Sequence, residues 1–559
     1  MRAPRYGAAR SGLALAIMMS IGVTPCALVA QDAPPSAWGR AHDAGSVTNS
    51  TPIAWLGAWS PLRPVGEIAR GQLRAPMGPG LLLAPAPLAG AFVLAGAPGS
   101  LARDLTPRAA GDTTRWSEFR ATHAMESGTF RRPLDAVDAA ATQASGGGWS
   151  PVGQRGVAMG RFVVDQERND VSSFTQRVSP YWSSPFVVTD SVRPPMVRTR
   201  ARLEGALGLR VAGFGVGVSA GLDAREHVSQ NFPLRRTGRW AVPATSLGIE
   251  RTLPWAGLRV GAYHRWTEPT ETNLLNPRPL ATIVYAVQGL AEPSGILVTA
   301  SDQIFVRQDR RATALGGTIE ATVFGARMVV THESGDRFDD EYRLITARVR
   351  PTDSWRARAS DTRVQLQRGF GAAWRSTLVA HRITINGSGV RSDLRGVAVR
   401  GGDEQLAVEA DLRWQRRGWQ AGVLGGAMRR TYEREDFVAQ ASVRTERATP
   451  FASAEVARRW STRAVAAGLS FATASPAGSV PRAADQGPNY RRLIAPELAY
   501  ELATARAWSA WITAEQRVLG TAAFAQARTE RVSPQSLAPA RLQPEGDRTR
   551  WSVSVGFRP

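Results

Sequence analysis

The chain has 559 residues, 43% of them hydrophobic and 21% charged, which excludes a disordered or fibrous protein. Its mean hydropathy of -0.21 excludes a polytopic helical membrane protein, but not a β-barrel, whose strands alternate apolar with polar residues. All 69 cationic side chains are arginine, against 47 acids, for a net charge of +22, and the single cysteine, Cys26, excludes an intrachain disulfide and an all-cysteine zinc site.

Residues 1–30 have the layout of an export signal. Arg2, Arg5 and Arg10 form a basic start, Ser11 to Val23 is an apolar run, and Ala27 to Ala30 precede the polar Gln31 and Asp32. Pro25 stands where a lipobox needs Gly or Ala, which argues against lipidation at Cys26. Residues 31–111 are irregular and rich in Pro, Ala and Gly, and are expected to form a periplasmic or lumenal segment. The apolar stretch from Gly80 to Gly96 is broken by Pro85 and Pro87 and is short of the roughly 20 residues of a spanning helix.

From residue 112 to 559 the hydrophobic period is two, the signature of strands. Ala201, Leu203, Leu207, Leu209 and Val211 share one face, and Arg198, Arg200, Arg202, Glu204 and Arg210 the other. After a turn at Ala212-Gly213, Phe214, Val216, Val218, Ala220 and Leu222 alternate with small or polar residues. The same hairpin pattern recurs around Pro254 to Gly257, Phe324-Gly325, Arg416 to Gly418 and Ala503 to Arg506. Polar segments at Arg225–Pro243, Thr267–Pro279, Gly387–Glu404, Ser475–Tyr490 and Gly520–Arg548 read as long loops on alternate connections. Short turns alternating with long loops are the habit of outer-membrane barrels. The predicted fold is therefore an all-β transmembrane antiparallel barrel of about 14 strands, with 12 to 18 open.

The last strand carries Trp551, Val553, Val555 and Phe557 on one face and resembles the signal by which bacterial barrel-assembly machinery recognises its clients. Trp266, Trp414, Trp419, Trp508 and Trp551 lie near strand ends, where interfacial girdles sit. Together with Gly160-Arg161-Phe162, Ser184-Pro185-Phe186, Asp190-Ser191 and Asn276-Pro277-Arg278, these features resemble an uncharacterised group of bacterial outer-membrane β-barrel proteins. The resemblance spans about residues 112–559. It implies fold and location, and no activity.

Catalytic motifs do not survive inspection. Gly217 to Gly221 fits G-x-S-x-G, but Ser219 is mid-strand rather than on a strand-turn-helix elbow. His264, His332 and His381 share the apolar parity, which keeps a membrane-embedded hydrolase as a second reading. Asp336, Asp339, Asp340 and Glu341 read as an acidic loop tip without regular metal-ligand spacing.

The expected lumen-lining residues are Arg200, Arg202, Glu204, Arg210, Glu250, Arg259, Arg265, Glu320, Arg327, Glu409, Asp411 and Arg413. They allow two readings: cross-strand arginine–carboxylate pairs that brace the wall, or an arginine excess that admits anions. The expected function is passive passage or binding of small solutes, anionic ones among them. A hydrolase, or a structural or adhesive surface protein acting through long loops, is the alternative. No cofactor or metal is expected. The expected partners are outer-membrane lipid, lipopolysaccharide and the assembly machinery, not nucleic acid, with a monomer as the default state. Arg235, Arg236 and Arg239 are placed to meet anionic headgroups.

Overall fold

The computed structural model describes residues 116–130, 138–153, 156–169, 186–190, 195–229, 234–253, 257–268, 270–277, 282–290, 294–298, 304–345, 348–370, 373–479, 487–488, 502–518, 521–536 and 546–558. The expected export signal, and the irregular segment to residue 111, lie outside them. Every strand pairing among these residues is antiparallel.

The chain enters through β1 (Trp116–Gly128), β2 (Asp138–Val152) and β3 (Gly156–Asn169). After the short β4 (Phe186–Asp190) come β5 (Met196–Val211), β6 (Phe214–Ser229) and β7 (Leu234–Leu253). The next strand is broken in two, β8 (Leu258–Thr267) and β9 (Thr270–Pro277), both paired to β7 on one side. Two short strands follow, β10 (Thr282–Gln288) and β11 (Ser294–Val298). The wall resumes with β12 (Ile304–Val323), β13 (Ala326–Ile345), β14 (Arg348–Phe370), β15 (Trp374–Arg391) and β16 (Gly396–Arg416). It continues through β17 (Trp419–Asp436), β18 (Ala441–Arg459), β19 (Arg463–Ser479), β20 (Thr504–Val518), β21 (Thr521–Ser536) and β22 (Arg548–Arg558).

Each wall strand pairs with its neighbours in chain order, and β22 pairs back onto β1, from Phe119 opposite Phe557 to Gly128 opposite Arg548. The sheet is therefore a closed barrel. Counting the collinear β8 and β9 as one, since both also pair with β12, it has eighteen wall strands rather than about fourteen. Closure removes the unpaired edges that an open sheet would leave.

One end of the barrel carries only connections of two to four residues. Ala212-Gly213, Phe324-Gly325 and Arg417-Gly418 all have positive φ at both positions, the tight hairpin turn that matches strand twist. The other end carries the long connections, 170–195, 278–303 and 480–503. Several segments read as loops are strand instead. Residues 225–229 and 234–243 are strand, of 387–404 only 392–395 is a loop, and 521–536 is the whole of β21. Ala503 to Arg506 is not a turn but runs into β20, which begins at Thr504.

Burial along the wall is inverted relative to a soluble sandwich. Leu203, Leu247, Leu315, Leu412, Val423 and Leu469 are exposed, whereas Asp223, Glu271, Glu333, Glu409 and Thr449 are buried. The alternation puts the apolar set outside and the charged set inside. The inner face is not purely polar: Trp355, Ala357, Ala359, Ile383 and Ile385 pack together there, as do Leu424, Met428 and Phe451.

The outer apolar rows have a defined height. On β16 it is Leu406, Val408, Ala410, Leu412 and Trp414, bounded by Glu404 and Arg416. On β17 it runs from Trp419 to Ala427 and stops at Arg429, and on β18 from Ala448 to Val456 between Glu446 and Arg458. Each row covers about 27 Å of strand, or about 20 Å along the barrel axis at a tilt of roughly 35–45°.

Candidate functional site

The inner wall is built from arginines and carboxylates brought face to face by the register. Arg200 on β5 is buried and donates to Asp223 on β6, with Nε at 2.5 Å from Oδ1. Asp223 also accepts from Arg225 Nη2 at 3.1 Å, and Arg198 reaches Glu167 on β3 at 3.3 Å. Further round, Glu320 on β12 lies between Arg259, at 3.2 Å, and Arg327, at 2.9 Å. Glu333 on β13 accepts from Tyr263 Oη at 2.7 Å and pairs with Arg265 at 3.4 Å. Arg413 lies 2.7 Å from Asp411 and 3.7 Å from Glu455. Glu409 is buried on the same face, within the field of Arg363.

Eight of the twelve residues expected to line the lumen thus have described side chains, and those eight face inward. Arg202, Glu204, Arg210 and Glu250 take register positions of the inner parity, opposite Asp223, Gly221, Gly215 and Gly215 respectively. The wall also holds pairs that strand alternation did not single out. Arg430 and Asp403 form two hydrogen bonds of 3.0 and 2.9 Å, Arg550 meets Glu530 at 2.7 Å, and Arg548 meets Glu126 across the closing seam. The signal for these was present, since all six keep the inner parity of their strands.

Trp551, Val553, Val555 and Phe557 form an outward, exposed row on β22. Phe557 stacks on Phe119 of β1 at 5.3 Å, and Trp551 lies 5.8 Å from His123.

The histidines separate. His264 and His332 are exposed on outer rows, and His332 Nδ1 lies 2.8 Å from Thr362 Oγ1. His381 does not share their parity as expected, because Val379 and Ile383 beside it in alternation are buried on the inner face. It contacts Asp361 Oδ1 at 2.7 Å. Ser219 is buried mid-strand in β6, opposite Ala206 and Ser246, so no nucleophile elbow exists there. The expected acidic loop tip is strand β13. Asp339 and Glu341 are buried inside, and Asp336 and Asp340 face out, so the four do not converge. Among the described residues no group of three metal-ligating side chains could hold an ion.

A short sheet lies at the long-loop end. β10 pairs with β11 and with β4, which joins the 170–195 and 278–303 connections in a three-stranded sheet. The turn after β10 docks on the end of β17: the Leu290 amide donates to Asp436 Oδ2 at 2.8 Å, and both residues are buried. Gly289 has φ +85, and a Cβ there would lie 2.4 Å from Asp436 Oδ2 and 2.7 Å from Val399 Cγ2, so only glycine fits. The β3–β5 root of this strap and its β17 catch are about half the ring of eighteen apart. The strap therefore crosses the mouth.

Solved structures of similar architecture include the FrpB iron transporter of Neisseria meningitidis (F3-3 variant), at 11% identity and TM-score 0.42 over 81% of this chain and 83% of that one. The ferric yersiniabactin uptake receptor FyuA of Yersinia pestis matches at 7% identity and TM-score 0.40, over 80% of each chain. The siderophore receptor PiuA of Acinetobacter baumannii matches at 7% and 0.37, over 79% and 82%. At such scores the likeness carries no functional argument. No curated protein matches the chain. The family model that does match covers residues 109–558, the whole barrel, and the chain belongs to that family of unknown function, DUF6850.

Proposed function

We propose that this protein is an outer-membrane β-barrel that binds or passes small solutes through a braced polar interior under a strapped mouth. The observation that carries the reading is the inverted wall: exposed apolar rows about 20 Å high ring a closed barrel whose buried face is charged. Exposed apolar surface on that scale needs lipid rather than water. Short turns at one end and long loops at the other match the periplasmic and outer faces of such barrels. The C-terminal row on β22 fits a client of the assembly machinery, and outer rows ending in charge fit contact with lipid and lipopolysaccharide headgroups.

The pairing of Arg200, Arg259, Arg265, Arg413 and Arg430 with carboxylates favours bracing over a bare positive wall. Anion preference should accordingly be modest, and the strap favours gated entry over a permanently open pore. The test is export in a Gram-negative host, followed by fractionation and planar-bilayer recording. A heat-modifiable band in the outer membrane and small, intermittent conductance steps are expected. Recovery as a soluble periplasmic protein would contradict the reading.

A further inference from the structure

The +22 charge is not stored on the paired inner wall alone. At the short-turn end of β16, β18 and β19, the outer rows finish in arginine. Arg416 follows Trp414, Arg458 follows Val456, and Arg463 precedes Val465. Arg416, Trp419 and Arg458 occupy one register row across three neighbouring strands, with Arg417 in the turn between the first two. The adjacent turns are tied together, because the Arg459 amide donates to the Gly418 carbonyl at 2.7 Å and the Arg517 amide to that of Thr462 at 2.7 Å.

Two exposed indoles complete the row. The Arg458 guanidinium lies 4.6 Å from the Trp419 ring centroid and 5.8 Å from that of Trp460, and these rings are 43% and 49% exposed. Arg416, Arg417 and Arg463 are exposed as well. The nearby carboxylates, Glu455 and Glu515, fall on the inner parity of their strands. Towards the long-loop end of β15 to β18, three outer arginines are instead paired, Arg382 with Glu404, Arg429 with Glu446 and Arg444 with Glu433. The two rims of one wall segment therefore differ in net charge.

We infer that this rim is a binding surface for anionic phospholipid headgroups of the leaflet at the short-turn end. The inference rests on the membrane reading above. Tryptophan sets the depth of an interface, and arginine laid along an aromatic ring keeps its charge at headgroup level while its stem covers apolar wall. A phosphodiester is the anion available at that level, and juxtamembrane arginines select anionic over zwitterionic lipid. A soluble acidic polymer would not need the indoles or their alignment with the end of the apolar rows.

The test is native mass spectrometry of the full barrel released from vesicles of equimolar phosphatidylglycerol and phosphatidylethanolamine. Wild type should retain phosphatidylglycerol at least about threefold over phosphatidylethanolamine. The triple variant Arg416→Gln, Arg417→Gln, Arg463→Gln should bring the ratio close to one. Arg382→Gln with Arg429→Gln, at the opposite rim, should leave it unchanged. Heat-modifiable gel mobility checks that each variant is folded. Equal retention of the two lipids by wild type, or an unchanged ratio in the folded triple variant, overturns the inference while the membrane reading stands. So does binding of polyglutamate to these arginines without lipid preference. Failure of wild type to insert into any vesicle overturns both.

Discussion

The Leu290 amide and the Asp436 carboxylate are 146 residues apart in sequence and 2.8 Å apart in space. Asp436 uses its other oxygen to hold its own turn, accepting from the Val438 and Ala439 amides at 2.9 and 2.8 Å. One side chain thus fixes a wall turn and catches the strap. Asp436→Ala should free both, and Gly289→Val should free the strap alone, because the added carbons collide with Asp436 and Val399. Hydrogen exchange over 282–290 should rise about tenfold in both variants, and over β17 only in the first. Bilayer conductance should increase in both. Wild-type exchange in both variants would show that this contact does not hold the strap.

The outer rows set a second expectation. Arginine near the bilayer midplane of a barrel costs roughly 2–4 kcal/mol. Val408→Arg, central in the β16 row, should destabilise refolding into lipid vesicles by that amount in a urea titration. Arg375→Gln, on the inner parity of β15 and exposed, should shift the midpoint little. Equal effects would mean that the faces are misassigned.

Asp223 accepts from two arginines and is fully buried. Removing one member of a buried pair typically costs about 3–5 kcal/mol. Asp223→Ala should approach that range because it takes an acceptor from two guanidinium groups, whereas Arg225→Ala should cost less. The double variant Arg200→Ala, Asp223→Ala should be less destabilised than the sum of the two single changes. Additivity of the single changes would show that the pair does not couple.

Faces were legible in the sequence where a strand crosses the apolar band, and lost where it continues beyond it. On β5 and β6 the described side chains from Ala201 to Leu222 alternate as expected on either side of the Ala212-Gly213 turn. β14 has arginine on both parities, Arg356, Arg358 and Arg368 on one and Arg363 on the other, and its exposed apolar residues, Val364, Leu366 and Phe370, are confined to one end of its outer face. Such two-sided polar stretches read as loops, which is why β21 and the upper parts of β6, β7, β15 and β16 were missed and the strand count fell short. His381 departs from its expected parity for the opposite reason: the inner face of β15 is itself apolar there, with Val379, Ile383 and Ile385 buried. The strap could not be read at all, since the pairing of β4 with β10 joins segments about a hundred residues apart and leaves no local period.

Asp547, in the connection before β22, accepts hydrogen bonds from Arg531, which together with a bond from Ser533 hold its carboxyl below the usual range. A depressed folded value contributes stability that is present above the unfolded pKa of about 3.9 and is lost as pH falls through the folded one. Both groups are partly exposed, so the contribution should be at most about 1 kcal/mol. Arg531→Gln should therefore speed exchange of the 546–549 amides at pH 5 to 6, with the difference from wild type closing as pH drops towards 2. A difference that grows on acidification would contradict the assignment.

The central claim is that the outer face of this barrel meets lipid and the inner face does not. Single cysteines placed in turn at positions 404 to 416 of β16, in a chain whose only native cysteine is Cys26, can be spin-labelled and read for oxygen and nickel-chelate accessibility in vesicles. Oxygen accessibility should peak at 406, 408, 410, 412 and 414, with nickel access lowest at 410 and rising towards 404 and 416. The odd positions from 405 to 413 should show little of either. Nickel access at 408, 410 and 412 equal to that at 404 would contradict the account.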